Sequence, residues 1–179
     1  MTVTAIHVTL AVVIGLMLAE TRVSVRHERA LRARGAIEPP GDVFLAMSLL
    51  YPLSFVLMYF EGVLRAEAAA SAGSGTSTPP AWWLAGILLM VASKALKYWA
   101  IAHLRDRWSF RVLVEPGVPL VQTGPYRYVD HPNYIAVVGE LAAMALMMSA
   151  WSSGPIVIVL FGIALFLRLR VETRALHPR

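Results

Sequence analysis

The sequence contains no cysteine. Disulfide bonds, catalysis by a thiolate and zinc sites with cysteine ligands are therefore excluded, and we predict no metal site. No internal repeat is visible along the 179 residues. No basic stretch precedes the first apolar run, so we expect no cleaved signal segment. Any chemistry must rest on side chains other than cysteine.

The composition is strongly apolar. Hydrophobic residues make up 58% of the chain and the mean hydropathy is +0.62, whereas soluble domains are about 45–50% apolar. An integral membrane protein is the natural interpretation, and the length suits a single domain over residues 1–179. The net charge of +5 is typical of loops that set membrane topology, so we predict no nucleic-acid partner.

Five apolar runs predict an all-α protein with five transmembrane helices, at about residues 3–19, 43–64, 81–104, 132–150 and 154–169. Five arginines follow the first run, four follow the third and four lie in the tail, but the other connectors hold one. With five spans, every basic segment falls on one side. The positive-inside rule places that side in the cytoplasm and the N-terminus outside.

Several polar positions around these spans allow two interpretations. Glu28 and Arg32 have i,i+4 spacing, so the first connector is predicted to include a surface helix that Gly35 ends. Lys94 and Lys97 lie within the third span. They either extend to the cytoplasmic interface, the default for lysine, or face the bundle interior and line a ligand pocket. The residues 152–155 predict a tight turn before the last span.

The densest group of polar residues is GPYRYVDHPNYIAVVGE, residues 124–140. Gly124 and Pro125 predict a turn. Pro132 biases His131 away from helix and is suited to open a helix itself. Asp130 and His131 then lie at a helix N-terminus, where free N–H groups and the helix dipole favour an anionic ligand group. We interpret this segment as the floor of an active site at the membrane surface.

A hairpin of the last two spans brings a second polar group to the same depth. His131 and Tyr134 begin the fourth span, and Arg168 and Glu172 end the fifth, four residues apart on one helix face. The pair could be a surface salt bridge of little energetic value, and Arg168 a membrane-edge anchor. In a site, Glu172 suits ammonium, sulfonium or hydroxyl groups and Arg168 suits an anionic oxygen. His131 could hold a loop or move a proton.

These motifs carry a resemblance to a known family. GPYRYVDHPNY before one apolar span and RLRVETRAL after the next resemble the isoprenylcysteine carboxyl methyltransferase family of membrane enzymes. RWSFRV, PG, LV, GPYRY and HPNY resemble its bacterial branch, in which some members are similar to O-methyltransferases of long-chain alkylpyrones or alkylresorcinols. The resemblance covers about residues 97–176. Two positions depart from the family pattern, with Asp130 in place of the usual arginine and Thr173 in place of a second glutamate.

The resemblance implies S-adenosylmethionine as cofactor, with S-adenosylhomocysteine as product, in a pocket on the cytoplasmic side. The cofactor-binding residues that it implies are Leu120, Val121, Tyr126, His131, Pro132, Asn133, Tyr134 and Glu172. It also implies that Arg168 faces the acceptor oxygen. We predict His131 as the second catalytic residue. Asp130 changes the charge that the cofactor carboxylate would meet.

The expected function is methylation of a lipophilic or lipidated acceptor, at a carboxylate or at a phenol or enol oxygen, in a bacterial inner membrane. A carboxylate needs no base, whereas a phenol or enol must lose a proton to His131 or water. The acyl or prenyl tail would enter sideways from lipid. The alternatives are a phospholipid or amine N-methyltransferase and a non-enzymatic small membrane protein. The sequence does not indicate an oligomeric state.

Overall fold

The computed structural model describes residues 2–74 and 80–176, and these form five α-helices. The helices are α1 (Val3–Ala33), α2 (Phe44–Ser71), α3 (Ala81–Leu104), α4 (Pro132–Met148) and α5 (Ser153–Leu176). Single 3₁₀ turns at Arg105–Arg107 and Gly124–Arg127 interrupt the long connector between α3 and α4. Within the described ranges there is no β-strand, only an isolated antiparallel bridge between Ile37 and Val114. The all-α prediction is therefore confirmed.

Helix α1 extends well beyond its apolar part. The Thr2 hydroxyl accepts from the Ala5 N–H at 3.3 Å and caps its start, and Gly35, at φ +86°, follows its end as predicted. The predicted surface helix is the continuation of the first span. The Glu28–Arg32 pair was a wrong prediction, because the connectors supply better partners. Glu28 accepts from the Ser24 hydroxyl and pairs with Arg111 instead, and Arg32 pairs with Glu38.

The shortest α-helix, α4, occupies the centre of the bundle and contributes more buried residues than any other described helix. Its contact with α3 is the most extensive between any two described elements, because glycines let the two backbones approach closely, as small residues do in membrane helix pairs. A Cβ on Gly86 would lie 2.9 Å from the Ala143 carbonyl oxygen, and one on Gly139 would lie 2.3 Å from the Ser93 hydroxyl. Core positions on α4 are Ala136, Leu141, Ala143, Met144, Met147 and Met148.

Helices α4 and α5 form the predicted hairpin. Pro132 opens α4 as its first residue, consistent with its fixed φ and missing N–H. Ser149 then ends α4 in the left-handed conformation, at φ 52° and ψ 37°. The turn covers 149–152 and α5 starts at Ser153, so the turn begins three residues before the predicted 152–155 and overlaps it only at Ser152. Without a break, α5 continues into the polar tail and carries Arg168 and Glu172 back toward the start of α4.

The outer surface of the bundle is apolar. Large side chains such as Val12, Leu49, Leu88 and Ile163 are more than half exposed, as expected where lipid replaces water as the surrounding solvent. Four of the helices are long and apolar enough to cross a membrane, namely α1, α2, α5 and the segment Ala81–Arg107, and α4 is a shorter apolar helix. The structure therefore belongs to the class of helical integral membrane proteins.

Candidate functional site

A cavity of about 970 Å³ opens at the end of the bundle where α4 begins and α5 ends. Its walls come from all five helices and from the α3–α4 connector. Each site residue predicted from the sequence borders this one cavity. These residues are Leu120, Val121, Tyr126, His131, Pro132, Asn133, Tyr134, Arg168 and Glu172.

Tyr134 contacts three other polar residues at this end of the cavity, Glu172, Arg168 and His131. Its hydroxyl donates to Glu172 Oε2 at 2.6 Å and accepts from Arg168 Nε at 3.1 Å. The His131 ring stacks on the Tyr134 ring with centroids 5.2 Å apart, and His131 Nδ1 lies 3.8 Å from Glu172 Oε1. One tyrosine hydroxyl therefore couples an arginine to a glutamate, and the same ring orients a histidine beside that glutamate.

Arg168 is buried, with 5% of its surface exposed. Its guanidinium donates to the Phe110 carbonyl oxygen as well as to Tyr134, and one nitrogen lies 4.0 Å from Asp42 Oδ1. The alternatives of a surface salt bridge with Glu172 and of a membrane-edge anchor are therefore wrong. Arg168 reaches Glu172 only through the Tyr134 hydroxyl, and its charge faces the interior.

The start of α4 presents polar groups to the cavity. His131 and Asn133 flank Pro132 at the N-terminus of the helix, where the backbone N–H groups of Tyr134 and Ile135 donate to the His131 carbonyl oxygen and the Asn133 N–H has no partner among the described residues. The Asn133 side-chain oxygen is buried and has no hydrogen-bond partner among the described residues. A buried polar atom without a partner costs free energy unless a ligand or water satisfies it. Asp130 also borders the cavity but is exposed.

The connector between α3 and α4 forms the outer wall. Its first part is tied to α1, since the Phe110 N–H donates to the Ser24 hydroxyl at 2.8 Å and His27 Nδ1 lies 2.9 Å from the Trp108 carbonyl oxygen. Its second part places Tyr126 against the cavity. Burial raises the pKa of the Tyr126 hydroxyl and the nearby Glu172 charge raises it further, so this hydroxyl remains a proton donor at neutral pH.

At its membrane-embedded end the cavity meets a group of charges, which we call the buried ion cluster: Glu20, Lys94, Lys97 and Glu140. Each lysine contacts both glutamates, at distances of 2.6 to 3.1 Å. All four side chains are buried. The default prediction that the lysines extend to the interface is therefore wrong, because two carboxylates inside the bundle compensate their charge.

Sequence reasoning missed four residues at or near the cavity: Glu20, Asp42, Tyr51 and Glu140. A usable signal did exist for the cluster. Glu20 lies at the edge of the first apolar run and Glu140 inside the fourth, while both lysines lie inside the third. Opposite charges in such a low-dielectric interior are expected to pair. For Asp42 no such signal was present. Within the described ranges no three His, Asp or Glu residues are placed to hold a metal ion.

Gly124 is expected to be sensitive to substitution. It has φ +61°, and a Cβ there would lie 2.4 Å from the His103 ring. We expect Gly124→Ala to destabilise the protein by about 1–3 kcal/mol and to weaken ligand binding, since both strain and a clash act on the turn that places Tyr126. Thermal unfolding in detergent would measure the first effect.

Gly117→Ala is the matched control for Gly124→Ala. Gly117 also has a positive φ, +78°, but nothing lies within 4 Å of the added Cβ. It should show the smaller effect, and equal losses in the two variants would contradict a role for the contact with His103.

Comparison with known proteins identifies the family. The model of the isoprenylcysteine carboxyl methyltransferase (ICMT) family matches residues 86–178, slightly more than half of the chain. The protein therefore belongs to the isoprenylcysteine carboxyl methyltransferase family. Family membership and the apolar helices together support a membrane methyltransferase.

Two relatives align over nearly the whole chain. The uncharacterized protein YpbQ of Bacillus subtilis is 28% identical over 168 residues, which cover 94% of each chain. An uncharacterized protein of Haemophilus influenzae is 24% identical over 172 residues, which cover 96% of this chain and 94% of the relative. No solved structure matches the sequence.

Proposed function

We propose that the protein is a single-domain, S-adenosylmethionine-dependent methyltransferase that acts on a lipophilic acceptor, at a carboxylate oxygen or at a phenol or enol oxygen. One observation carries the proposal. A glutamate, a tyrosine, a histidine and a buried arginine meet at the polar end of an otherwise apolar cavity in a membrane protein. Family membership supports the methyl-transfer chemistry.

The residues present fit this cofactor. The cavity is as large as the roomier small-molecule sites, which span about 300–1,000 Å³. Glu172 offers a carboxylate to ammonium, sulfonium or ribose hydroxyl groups, and the buried Asn133 side-chain oxygen has no hydrogen-bond partner in the part of the chain that the structure describes. The Asn133 N–H at the start of α4, at the positive end of the helix dipole, suits a carboxylate. Leu120, Val121 and Tyr126 would supply the apolar wall, with His131, Pro132 and Tyr134 completing the site.

In this scheme the chain itself mainly positions the reactants. S-adenosylmethionine supplies a methyl group already activated on a sulfonium sulfur. Arg168, held between Tyr134 and the Phe110 carbonyl, would orient the acceptor oxygen, and such positioning is worth several kcal/mol. For a protonated acceptor, His131 lies where it could take the proton. The apolar walls exclude water, which strengthens each of these electrostatic contacts.

The acceptor's tail would enter between α1 and α2. Ile14, Leu18, Phe44 and Ser48 border the cavity there, and Leu18 and Ser48 are also exposed on the outer surface that lipid would cover. An apolar chain could therefore pass from the bilayer to Arg168 without crossing water. We propose that this end of the bundle lies on the cytoplasmic side of a bacterial inner membrane, with the N-terminus outside; the arginine-rich connectors support this orientation.

A second candidate is N-methylation of an amine or phospholipid head group. Asp130 and Glu172 put two carboxylates at the mouth of the cavity, and these would attract a cationic amine. The buried cation Arg168 opposes an amine at the inner position. Oxygen methylation therefore remains the preferred proposal. A purely structural membrane protein would have no need of the buried Asn133 and Arg168 groups.

Calorimetric titration of S-adenosylhomocysteine into the detergent-solubilised full chain tests the cofactor site. We expect saturable binding, and Glu172→Gln should weaken it about tenfold or more, because a hydrogen bond to a charged group contributes about 1.5–3 kcal/mol. His131→Ala should weaken it as well.

Glu67→Gln is the matched control for Glu172→Gln, since Glu67 is exposed near the C-terminal end of α2. It should bind as the wild type does. If folded wild-type protein did not bind S-adenosylhomocysteine, the methyltransferase proposal would be refuted. If Glu172→Gln bound it with wild-type affinity, Glu172 would not belong to the cofactor site.

A further inference from the structure

The buried ion cluster has no assigned role in the proposed reaction. Glu20 comes from α1, Lys94 and Lys97 from α3, and Glu140 from α4, so three helices converge on it. Their side chains are between 1% and 9% exposed. Tyr51 of α2 adds a hydroxyl that donates to Glu140 and a ring that lies 5.7 Å from the Lys97 ammonium.

Stability alone does not account for such a cluster. Apolar residues of similar volume in place of a buried ion pair are often neutral or stabilising, because removing charges from water costs more than their attraction returns. Ionisable groups inside a membrane bundle therefore indicate function by default. The cluster is also balanced, with two carboxylates facing two ammonium groups and no net charge.

The cluster is reachable from the cavity. Glu20, Lys97 and Tyr51 border it, whereas Lys94 and Glu140 lie behind them. Glu140 follows Tyr134 by six residues on α4, which corresponds to a depth of about 9 Å. One cavity thus has two polar ends, one at Tyr134 and Glu172 and one deeper in the membrane. Apolar side chains such as Met17, Val137 and Phe161 lie around it.

We propose that Glu20, Lys97 and Tyr51 bind a hydroxyl of the acceptor's head group other than the oxygen that Arg168 orients, and that the zero net charge of the cluster selects an uncharged head group. The inference rests on the proposed methyltransferase function, since it assigns the deeper polar end to the second substrate. A hydroxyl can donate to Glu20 and accept from Lys97, and the Tyr51 hydroxyl, which donates to Glu140, can accept a further hydrogen bond from the head group.

Electrostatics disfavours a carboxylate acceptor at this site. It would add a third negative charge beside Glu20 and Glu140, where two lysines already balance the existing charges. In a low-dielectric interior such an excess charge is costly. The charge of Arg168 already faces the Asp42 carboxylate at 4.0 Å, and its guanidinium is held at the other polar end by Tyr134 and the Phe110 carbonyl oxygen.

Paired lipid probes test this selectivity. The full-length protein in lipid nanodiscs is titrated with 4-dodecylphenol, which is uncharged at pH 7, and with dodecanoate, with empty nanodiscs as reference. We expect the phenol to bind about tenfold more tightly than the carboxylate, since an unbalanced charge in this environment costs at least that factor. Tighter binding of dodecanoate by the wild type would overturn the inference.

Variants that change the cluster's charge sharpen the test. Glu20→Gln leaves a net charge of +1 and should raise dodecanoate affinity relative to the phenol by about tenfold. Tyr51→Phe removes one hydroxyl without leaving a charge unpaired and should weaken phenol binding about fivefold, the range of a neutral hydrogen bond. Glu61→Gln, a carboxylate beside the α4–α5 turn, should alter neither probe.

Binding of S-adenosylhomocysteine separates the two proposals. Glu20→Gln and Tyr51→Phe should retain it within about twofold, because neither residue lies at the Glu172 end. An unchanged preference between the probes in a Glu20→Gln protein that binds S-adenosylhomocysteine would refute the role of the cluster. If Glu20→Gln does not fold, undiminished phenol binding by Tyr51→Phe would refute it. Failure of the wild type to bind S-adenosylhomocysteine would instead refute the methyltransferase proposal.

Discussion

Replacing Glu140 with leucine is expected to lower the free energy of unfolding by about 3–5 kcal/mol, the cost of leaving buried charge uncompensated. Glu140 contacts Lys97 at 2.7 Å and Lys94 at 3.1 Å, and it accepts from the Tyr51 hydroxyl. Its removal leaves two ammonium groups facing one carboxylate inside the bundle. Thermal or denaturant unfolding in detergent, followed by far-UV circular dichroism, measures the loss.

The double variant Glu140→Leu with Lys97→Met provides the control. It removes one charge of each sign and leaves the Glu20–Lys94 pair, whose atoms are 2.6 Å apart. Most of the lost stability should return, because charge balance is restored and the new side chains have similar volumes. If the double variant were as unstable as the single one, packing rather than charge would explain the effect.

Replacing Gly86 with leucine is expected to cost about 1–3 kcal/mol or more through overpacking. An added Cβ would lie 2.9 Å from the Ala143 carbonyl oxygen and 3.0 Å from the Met147 backbone nitrogen. Backbone cannot rotate away as a side chain can, so α3 and α4 would have to separate. Because α3 carries both lysines of the ion cluster, the same variant should also weaken ligand binding in calorimetry.

Gly162→Leu on α5 is the matched control. Nothing lies within 4 Å of the added Cβ there, and leucine favours helix over glycine by somewhat less than about 1 kcal/mol. Gly162→Leu should therefore be at least as stable as the wild type. Equal destabilisation of both variants would contradict the account of the α3–α4 contact.

Much of the fold follows from local signals. Apolar runs predicted the helices, Gly35 and Pro132 marked an end and a beginning, and the short turn predicted the α4–α5 hairpin. The observed bounds differ from the predicted ones, because α1 continues into a polar segment as far as Ala33. Hydropathy defines the part of a helix that crosses the membrane. The helix itself continues until its backbone hydrogen bonding stops. The Glu28–Arg32 prediction failed for a related reason, since partners from other connectors competed successfully.

The candidate site was predicted in outline. Helix spacing and the hairpin were enough to bring His131 and Tyr134 near Arg168 and Glu172, and all of the residues that the family resemblance implied border one cavity. The sequence could not show that the Tyr134 hydroxyl joins Arg168 to Glu172. That contact depends on side-chain rotamers and on the close packing of two helices.

The sequence by itself determined the membrane class, the helices and the residues at the two ends of the hairpin, because hydropathy, proline and glycine act over short stretches of chain. Tertiary structure alone decided where the lysines went. Lys94 and Lys97 would have reached the interface on an isolated helix. They stay inside because Glu20 and Glu140, 74 and 46 positions from Lys94 along the chain, arrive from other helices and balance them. Such pairing over long sequence separations depends on how the helices pack, which no local pattern encodes.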